Sequence, residues 1–185
     1  MSEVIKLTTP LTEDAARSFN VGDVVELSGV IYSARDSAHK KIIQSLDNGE
    51  PLPFDLNGAV IYYMGPTPPP PGKVIGSAGP TTAGRMDAYA PRLIAQGLSG
   101  MIGKGNRSKE VIEACKEHGA VYFSAIGGAG ALISGSIKSA RVIAYEELGP
   151  EALRELVVKA MPVVVINDTE GRDLYEEGRK KYEIK

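Results

Sequence analysis

The stretch MIGKGNRSKEVIEACKEHGAVYFSA, residues 101–125, decides the fold. Two short apolar runs, 101–103 and 121–125, are typical of buried strands. Between them, Ser108 is placed to cap a helix and Gly119 to end it. A strand, a helix and a second strand predict a parallel pair of strands, because a crossover of this length brings the chain back in the same direction.

The same alternation extends to both sides of this unit. Near the start, Thr12 is placed to cap a helical turn between two strands, and Asp36 to cap a longer helix. The sequence therefore predicts an α/β fold, a single domain over residues 1–185 with a largely parallel sheet core. Further strands are predicted over 24–34, 59–64, 74–77, 142–144 and 163–166, and further helices over 82–96, 129–137, 150–156 and 170–181.

Composition excludes several classes of protein. The 185 residues include 21 Lys and Arg against 23 Asp and Glu, and this balance argues against a dedicated nucleic-acid binder. A single cysteine, Cys115, excludes an intrachain disulfide, and the chain by itself cannot supply the thiolates of an iron–sulfur cluster. No apolar run is long enough to span a membrane, and residues 1–10 lack the apolar core of a signal peptide, so we expect a cytoplasmic protein.

A proline-rich segment, 66–72, interrupts the alternation and contains four consecutive prolines, 68–71. Such a segment favours the polyproline II conformation. It is either a stiff surface connector or a ridge on which a partner docks.

The densest candidate for a functional site is GSAGPTTAGRMD, residues 76–87. Glycines and hydroxyls lead into a predicted helix start, where free backbone N–H groups attract anions. Thr81 and Thr82 add hydroxyl donors, and Arg85 adds a planar fork that matches a carboxylate. The alternative is an ordinary helix cap beside a solvated arginine.

Two more strand-to-helix junctions carry cations. Lys104 lies between two glycines, although Gly105 after it rules out a P-loop. Arg35 follows a predicted strand, and His39, one turn into the next helix, fits a structural role better than a catalytic one. Three cations at such junctions suit a small dianion, because ligands of open α/β sheets bind at the carboxyl ends of the strands.

The remaining candidates are weaker. The glycine-rich segment 126–131 lacks the spacing of a dinucleotide-binding loop, and it fits close helix packing or a backbone turn that faces a substrate. Cys115 fits a buried, inert thiol. The residues by themselves therefore predict recognition of an anion without an evident catalytic group or a metal site.

The chain closely resembles the β subunit, or C-terminal domain, of class I iron–sulfur fumarate hydratases and L-tartrate dehydratases. The resemblance covers most of the chain and is most specific in the run from Gly79 to Asp87. The matching segments are 21–23, 34–40, 63–66, 75–87, 103–105 and 127–128.

This resemblance implies a swivelling β/β/α domain and a partner α subunit. The partner would hold a [4Fe–4S] cluster through three cysteines, its unique iron acting as a Lewis acid on the substrate. The implied reaction is the reversible hydration of fumarate to L-malate, a step of the tricarboxylic acid cycle. A hetero-oligomer follows, with β–β contacts as a further option.

The resemblance also implies roles for particular residues. Thr81 would transfer a proton, with Thr82 as the alternative hydroxyl. Other polar residues of the site would bind the substrate. Tartrate and mesaconate are the alternatives to fumarate as that substrate. The implied substrate-binding residues are Arg35, Arg85, Lys104, Thr82 and Asp87. A third possibility is an anion-binding or regulatory module that has no catalytic partner.

Overall fold

A computed structural model describes residues 4–184, and the predicted domain boundaries at residues 1 and 185 lie outside this range. The described residues form one α/β unit. Its strands are β1 (Ile5–Thr8), β2 (Val24–Ser33), β3 (Val60–Tyr62), β4 (Gly100–Gly103), β5 (Val121–Ser124), β6 (Ile137–Ala144) and β7 (Leu153–Asn167). Its helices are α1 (Glu13–Ser18), α2 (Asp36–Asp47), α3 (Ala90–Ala95), α4 (Lys109–His118), α5 (Gly130–Ser134) and α6 (Leu174–Tyr182), and short 3₁₀ helices span Ala83–Met86 and Glu146–Glu151.

The α/β class is confirmed, but the sheet is mixed rather than largely parallel. The strands follow the order β1-β2-β3-β4-β5-β7-β6, in which β1 to β5 pair in parallel. Strand β7 runs antiparallel to β2, β5 and β6. The connection between β6 and β7, residues 145–152, is too short for the crossover that parallel strands need, so these two strands pair antiparallel. The pairing of β7 with both β2 and β5 closes the central strands into a ring.

Two apolar cores lie on opposite faces of the strands. In β3, Val60 and Tyr62 belong to one core and Ile61 belongs to the other, and all three are buried. Alternating side chains of one strand point to opposite faces, so a strand covered on both sides is apolar throughout. Helices α2, α3 and α4 cover one face, and α1 and α5 contribute to the core of the other.

Two predicted elements are wrong. Residues 74–77 are not a strand. The carbonyl of Ser77 accepts a hydrogen bond from the N–H of Thr67 at 3.1 Å instead of pairing within the sheet. The predicted helix over 150–156 is a 3₁₀ turn followed by β7. Leu153 and Leu156 are spaced as in a helix, but Leu156 pairs with Ile31 of β2 in the sheet. The predicted strand 163–166 is the end of the same long strand β7.

The local signals at the chain's turns are more reliable. Thr12 caps α1 and Ser108 caps α4, each accepting a hydrogen bond from a backbone N–H in the first turn, and Gly119 ends α4 with φ of 69°.

The prolines 68–71 are exposed, and their role as connector or docking ridge stays open. Within residues 4–184, no helix is long and apolar enough to cross a bilayer.

Candidate functional site

The candidate site lies at the carboxyl edge of the parallel strands. Arg35 follows β2, and the long segment that contains Thr81 and Arg85 follows β3. Lys104 follows β4, and Gly127 follows β5. The predicted cations therefore share the edge at which open α/β sheets bind their ligands.

Backbone hydrogen bonds hold Thr81 beside Lys104. The N–H of Thr81 donates to the carbonyl of Tyr63 at 2.7 Å, and its own carbonyl accepts the N–H of Lys104 at 3.1 Å. The next link runs from the N–H of Ala83 to the carbonyl of Lys104 at 2.8 Å. The segment after β3 thus pairs with the loop after β4 through an isolated parallel bridge between Thr82 and Lys104. Backbone hydrogen bonds alone fix the position of Thr81 relative to Lys104.

The hydroxyl of Thr81 remains available. Thr81 is half-buried, and among residues 4–184 its side chain has no hydrogen-bond partner. The following 3₁₀ helix has Thr82 at its N-cap, and Thr82 makes no side-chain capping bond there. The interpretation of this segment as an ordinary helix cap is therefore not supported at either threonine.

Arg35 and Arg85 are joined through Asp36. The Nε of Arg85 donates to Oδ1 of Asp36 at 2.9 Å, and its Nη2 lies 2.8 Å from Oδ2. The same Oδ2 lies 4.0 Å from Nε of Arg35. The carboxylate of Asp36 therefore pairs with Arg85 and lies beside Arg35 without a hydrogen bond to its Nε.

This arrangement corrects the role predicted for Asp36. The N-cap of α2 is Arg35, which makes no side-chain capping bond, and Asp36 is the first helical residue. A carboxylate in the first turn still suits the positive end of the helix dipole. Its oxygens, however, turn toward the arginines instead of the helix N–H groups.

Glu151 completes the surroundings of Arg35. Its Oε1 lies 3.3 Å from Nη2 of Arg35, and its Oε2 accepts the N–H of Ser37 at 3.1 Å. Burial raises the pKa of Glu151, but the Ser37 hydrogen bonds and the charges of Arg35 and Arg85 outweigh it and leave the pKa below its ordinary value. Glu151 is therefore ionised at neutral pH. The guanidinium passes over Gly65, where a Cβ would lie only 2.9 Å from Nη1.

The cluster retains an excess of positive charge. Arg35, Arg85 and Lys104 carry three positive charges against the two carboxylates of Asp36 and Glu151. Within residues 4–184, no carboxylate lies within 4.0 Å of Lys104, and the buried Nε of Arg35 has no hydrogen-bond acceptor. Oδ2 of Asp36, 4.0 Å from that Nε, is likewise buried without a hydrogen-bond donor. The excess of positive charge is therefore what favours an anionic ligand here.

The glycine segment after β5 borders Lys104. A Cβ at Gly127 would lie 3.6 Å from Cδ of Lys104, and a Cβ at Gly79 would lie 3.5 Å from Cα of Gly130. The N–H of Ala78 donates to the carbonyl of Gly130 at 3.0 Å. The close packing predicted for this segment is confirmed, and it brings the backbone of the glycines next to the site.

Asp87 contacts the protein with both carboxylate oxygens. Oδ1 accepts from Nε of Arg107 at 2.7 Å, and Oδ2 accepts the N–H of Ser108 at 2.6 Å. Arg107 is buried between the rings of Tyr63 and Tyr122, at 5.4 and 4.9 Å from their centroids. The substrate-binding role of Asp87 stays a prediction, and this geometry gives Asp87 a structural task of its own.

His39 lies behind the site. Its ring is buried, Nδ1 lies 2.8 Å from the carbonyl oxygen of Arg35, and the ring edge packs on Tyr63 with 5.3 Å between centroids. Burial lowers the pKa of His39 to about 4. A neutral imidazole bonded to its own helix supports the structural interpretation.

Sequence reasoning missed three residues that shape the site: Asp36 as a link between arginines, Glu151 and Arg107. The adjacency of Arg35 and Asp36 was a usable signal for the first of them. Nothing local could have indicated Glu151, whose contact with Ser37 spans 114 positions.

Comparison with known proteins relates the chain to fumarate hydratases and to a protein named as a tartrate dehydratase subunit. The family model described as Fumarase C-terminus matches residues 1–178. The aerobic class I fumarate hydratase of Escherichia coli K12 is 43% identical over 177 residues, which cover 94% of this chain and 32% of that protein. Fumarate hydratase 2 of Leishmania major is 45% identical over 159 residues, covering 85% of this chain and 28% of that protein.

One relative has a different length. The protein named "Putative L(+)-tartrate dehydratase subunit beta" of Methanocaldococcus jannaschii is 42% identical over 177 residues. That match covers 92% of this chain and 91% of the relative. The chain thus spans about a third of the fumarate hydratases it matches but nearly all of this subunit.

Proposed function

The chain belongs to the Fumarase C-terminus family, and we propose that it is the β subunit of an iron–sulfur hydro-lyase that reversibly hydrates fumarate to L-malate. One observation carries this proposal. The residues Arg35, Arg85 and Lys104 lie at one sheet edge with excess positive charge, and a backbone bond holds Thr81 next to Lys104. Within residues 4–184 the hydroxyl of Thr81 has no hydrogen-bond partner. Several cations favour the binding of a dicarboxylate, and a hydroxyl close to the bound substrate can transfer its proton.

The chemistry explains why the cations matter. When L-malate loses water, a proton leaves the carbon next to one carboxylate and hydroxide leaves the neighbouring carbon. Negative charge builds on the carboxylate beside the deprotonated carbon, and preorganised cations stabilise that charge. We assign this stabilisation to Arg35, Arg85 and Lys104, and the proton transfer to Thr81.

Thr81 requires help from outside this chain. A threonine hydroxyl is a weak base, and a neighbouring base must activate it. The carboxylates of the site, Asp36 and Glu151, are engaged with the arginines and the start of α2. We therefore assign the activating carboxylate to the partner subunit.

The described part of this chain does not fit an iron–sulfur cluster. Residues 4–184 contain no group of three or more His, Cys, Asp or Glu side chains placed to hold a metal ion. Cys115 is buried, and burial raises its pKa to about 12, so it does not supply a thiolate at neutral pH. We propose that an α subunit holds the [4Fe–4S] cluster. The residues of this chain bind the substrate and transfer the proton.

We infer the subunit arrangement from the lengths of the related proteins. In the fumarate hydratases of E. coli and L. major, the matching region is about a third of a longer protein. The M. jannaschii relative, which is named a subunit beta, has nearly the length of this chain. A separate α subunit, joined with this chain in a hetero-oligomer, accounts for both lengths. We propose that this chain is a domain of the swivelling β/β/α type, which carries the cations to the partner's site.

Tartrate is the second candidate substrate, and the length match with the M. jannaschii subunit favours it. Both substrates are four-carbon dicarboxylates that would use the same cations. The test is to co-express the chain with its α subunit, purify the pair without oxygen and assay fumarate, L-tartrate and mesaconate side by side. We expect fumarate to have the highest kcat/KM, and a preference for L-tartrate would replace the proposed substrate.

Replacing Arg85 with lysine should lower kcat/KM by about 10–100-fold, because a charge-assisted contact is worth about 1.5–3 kcal/mol. Lysine keeps the charge but lacks the planar fork that can bond Asp36 and a substrate at once. Steady-state kinetics of the reconstituted enzyme measure the effect.

The matched control is Arg92→Lys. Arg92 also pairs with a carboxylate of α2, lying 2.8 Å from Asp47, but this pair is away from the sheet edge. The control should leave kcat/KM unchanged. Wild-type kinetics in Arg85→Lys would remove Arg85 from the site.

A further inference from the structure

We propose that Asp36 is a positioning residue that fixes the guanidinium of Arg85, and through it the distance between the two arginines, for a dicarboxylate substrate. This inference rests on the proposed function, since it assigns a task within the same site. It concerns a residue whose sequence position suggested only a helix cap.

The geometry of the ion pair is the first support. Asp36 contacts one edge of the Arg85 guanidinium, with Nε at 2.9 Å from Oδ1 and Nη2 at 2.8 Å from Oδ2. Only the Nε contact has hydrogen-bond geometry, and the contact between Nη2 and Oδ2 is an ion pair. The Nη1 and Nη2 hydrogens remain, and together they form the end-on fork that binds a carboxylate.

The anchoring of Asp36 is the second support. Asp36 is the first residue of α2, a twelve-residue helix packed through Ala38 and Ile42 onto the apolar core. Its carboxylate is therefore attached to a rigid element, whereas the side chain of Arg85 is about half exposed. A flexible arginine gains orientation from a fixed partner, and orientation determines how much binding energy a fork delivers.

The position of Arg35 is the third support. Oδ2 of Asp36 lies 4.0 Å from Nε of Arg35, so the same carboxylate lies between both guanidinium groups. Its negative charge reduces the mutual repulsion of the two guanidinium groups before a ligand arrives. Two fixed guanidinium groups suit a ligand with carboxylates at a defined separation.

A competing interpretation makes the opposite prediction. Asp36 could occupy the fork in place of substrate, so that substrate must displace it. Removal of the negative charge would then improve binding. The sign of the change in KM separates the two interpretations.

The experiment is a double-mutant cycle with Asp36→Asn and Arg85→Lys in the reconstituted enzyme. We expect Asp36→Asn to raise KM for fumarate about tenfold with kcat within about threefold, because an oriented carboxylate contact acts in both ground and transition states. In the Arg85→Lys background, the same change should raise KM by less than about twofold, because residues that act through one another are not additive. Additive effects, or an unchanged or lowered KM, would overturn the proposal.

An NMR measurement that does not depend on catalysis distinguishes a failure of this proposal from a failure of the proposed function. In ¹⁵N spectra of the isolated chain, the Nε–H resonance of Arg85, assigned by its absence in Arg85→Lys, should be protected in the wild type and lost to solvent exchange in Asp36→Asn. Persistence of that resonance in Asp36→Asn overturns the positioning role whatever the enzyme does. An inactive wild-type complex with the expected resonance loss would instead count against the hydratase function alone.

Asp47→Asn is the matched control for both measurements. Asp47 is the last residue of the same helix and pairs with Arg92 at 2.8 Å, far along α2 from Asp36. The substitution should leave KM and the Arg85 resonance unchanged. Thermal melting of each variant shows whether the fold is retained.

Discussion

Replacing Thr81 with alanine is expected to lower kcat of the reconstituted enzyme by about 10²–10⁴-fold, the usual contribution of a positioned proton-transfer group. KM should change far less, because the hydroxyl acts in the transition state and the cations still bind the substrate. Stability should be nearly unchanged. Within residues 4–184 the hydroxyl of Thr81 has no hydrogen-bond partner, and its backbone bonds to Tyr63 and Lys104 do not depend on the side chain.

Thr82→Ala is the control, since Thr82 is the neighbouring exposed hydroxyl. It should keep most of kcat, and any effect of its implied substrate-binding role should appear in KM. Steady-state kinetics and thermal melting of both variants test the assignment. If Thr82→Ala loses kcat and Thr81→Ala does not, the two threonines exchange roles, and if both keep kcat, neither transfers the proton.

Replacing Asp87 with alanine should destabilise the fold by about 3–5 kcal/mol, because it leaves the buried charge of Arg107 without its partner. The N–H of Ser108 at the start of α4 loses its acceptor as well. Urea denaturation of the isolated chain measures this free energy of unfolding.

Asp47→Ala removes a carboxylate from an exposed pair and should cost less than about 1 kcal/mol. The contrast between the two variants measures the effect of burial. If Asp87→Ala is as stable as the wild type but raises KM, then Asp87 binds substrate directly, as the family resemblance implies, and the structural task described above is wrong.

The features predictable from sequence are those with local causes. Strands β4 and β5 and helix α4 follow the predicted pattern within a residue or two, because Ser108 and Gly119 define the helix ends through bonds to their near neighbours. The placement of the cations followed from the same alternation. Arg35 and Lys104 lie directly after β2 and β4, and parallel strands bring their carboxyl ends to one edge. Arg85 lies far beyond the end of β3, and its segment reaches the same edge through the backbone bond between Ala83 and Lys104.

The features that could not be predicted depend on contacts between distant segments. Asp36 lies 49 positions from Arg85, and its adjacency to Arg35 does not by itself indicate the pair with Arg85. The spacing of Leu153 and Leu156 is compatible with a helix or a strand, and only pairing with β2 selects the strand. The same long-range pairing turns a parallel sheet into a mixed one.

The most direct test of the account is fumarate hydration, measured without oxygen, by the chain alone and by the chain with its co-expressed α subunit. The chain alone should be folded and inactive, since it lacks the activating carboxylate and the cluster that we assign to the partner. The pair should hydrate fumarate to L-malate. Robust turnover by the chain alone would contradict the division of the site between two subunits, and a stable but inactive pair would mean that this domain binds anions without catalysing hydration.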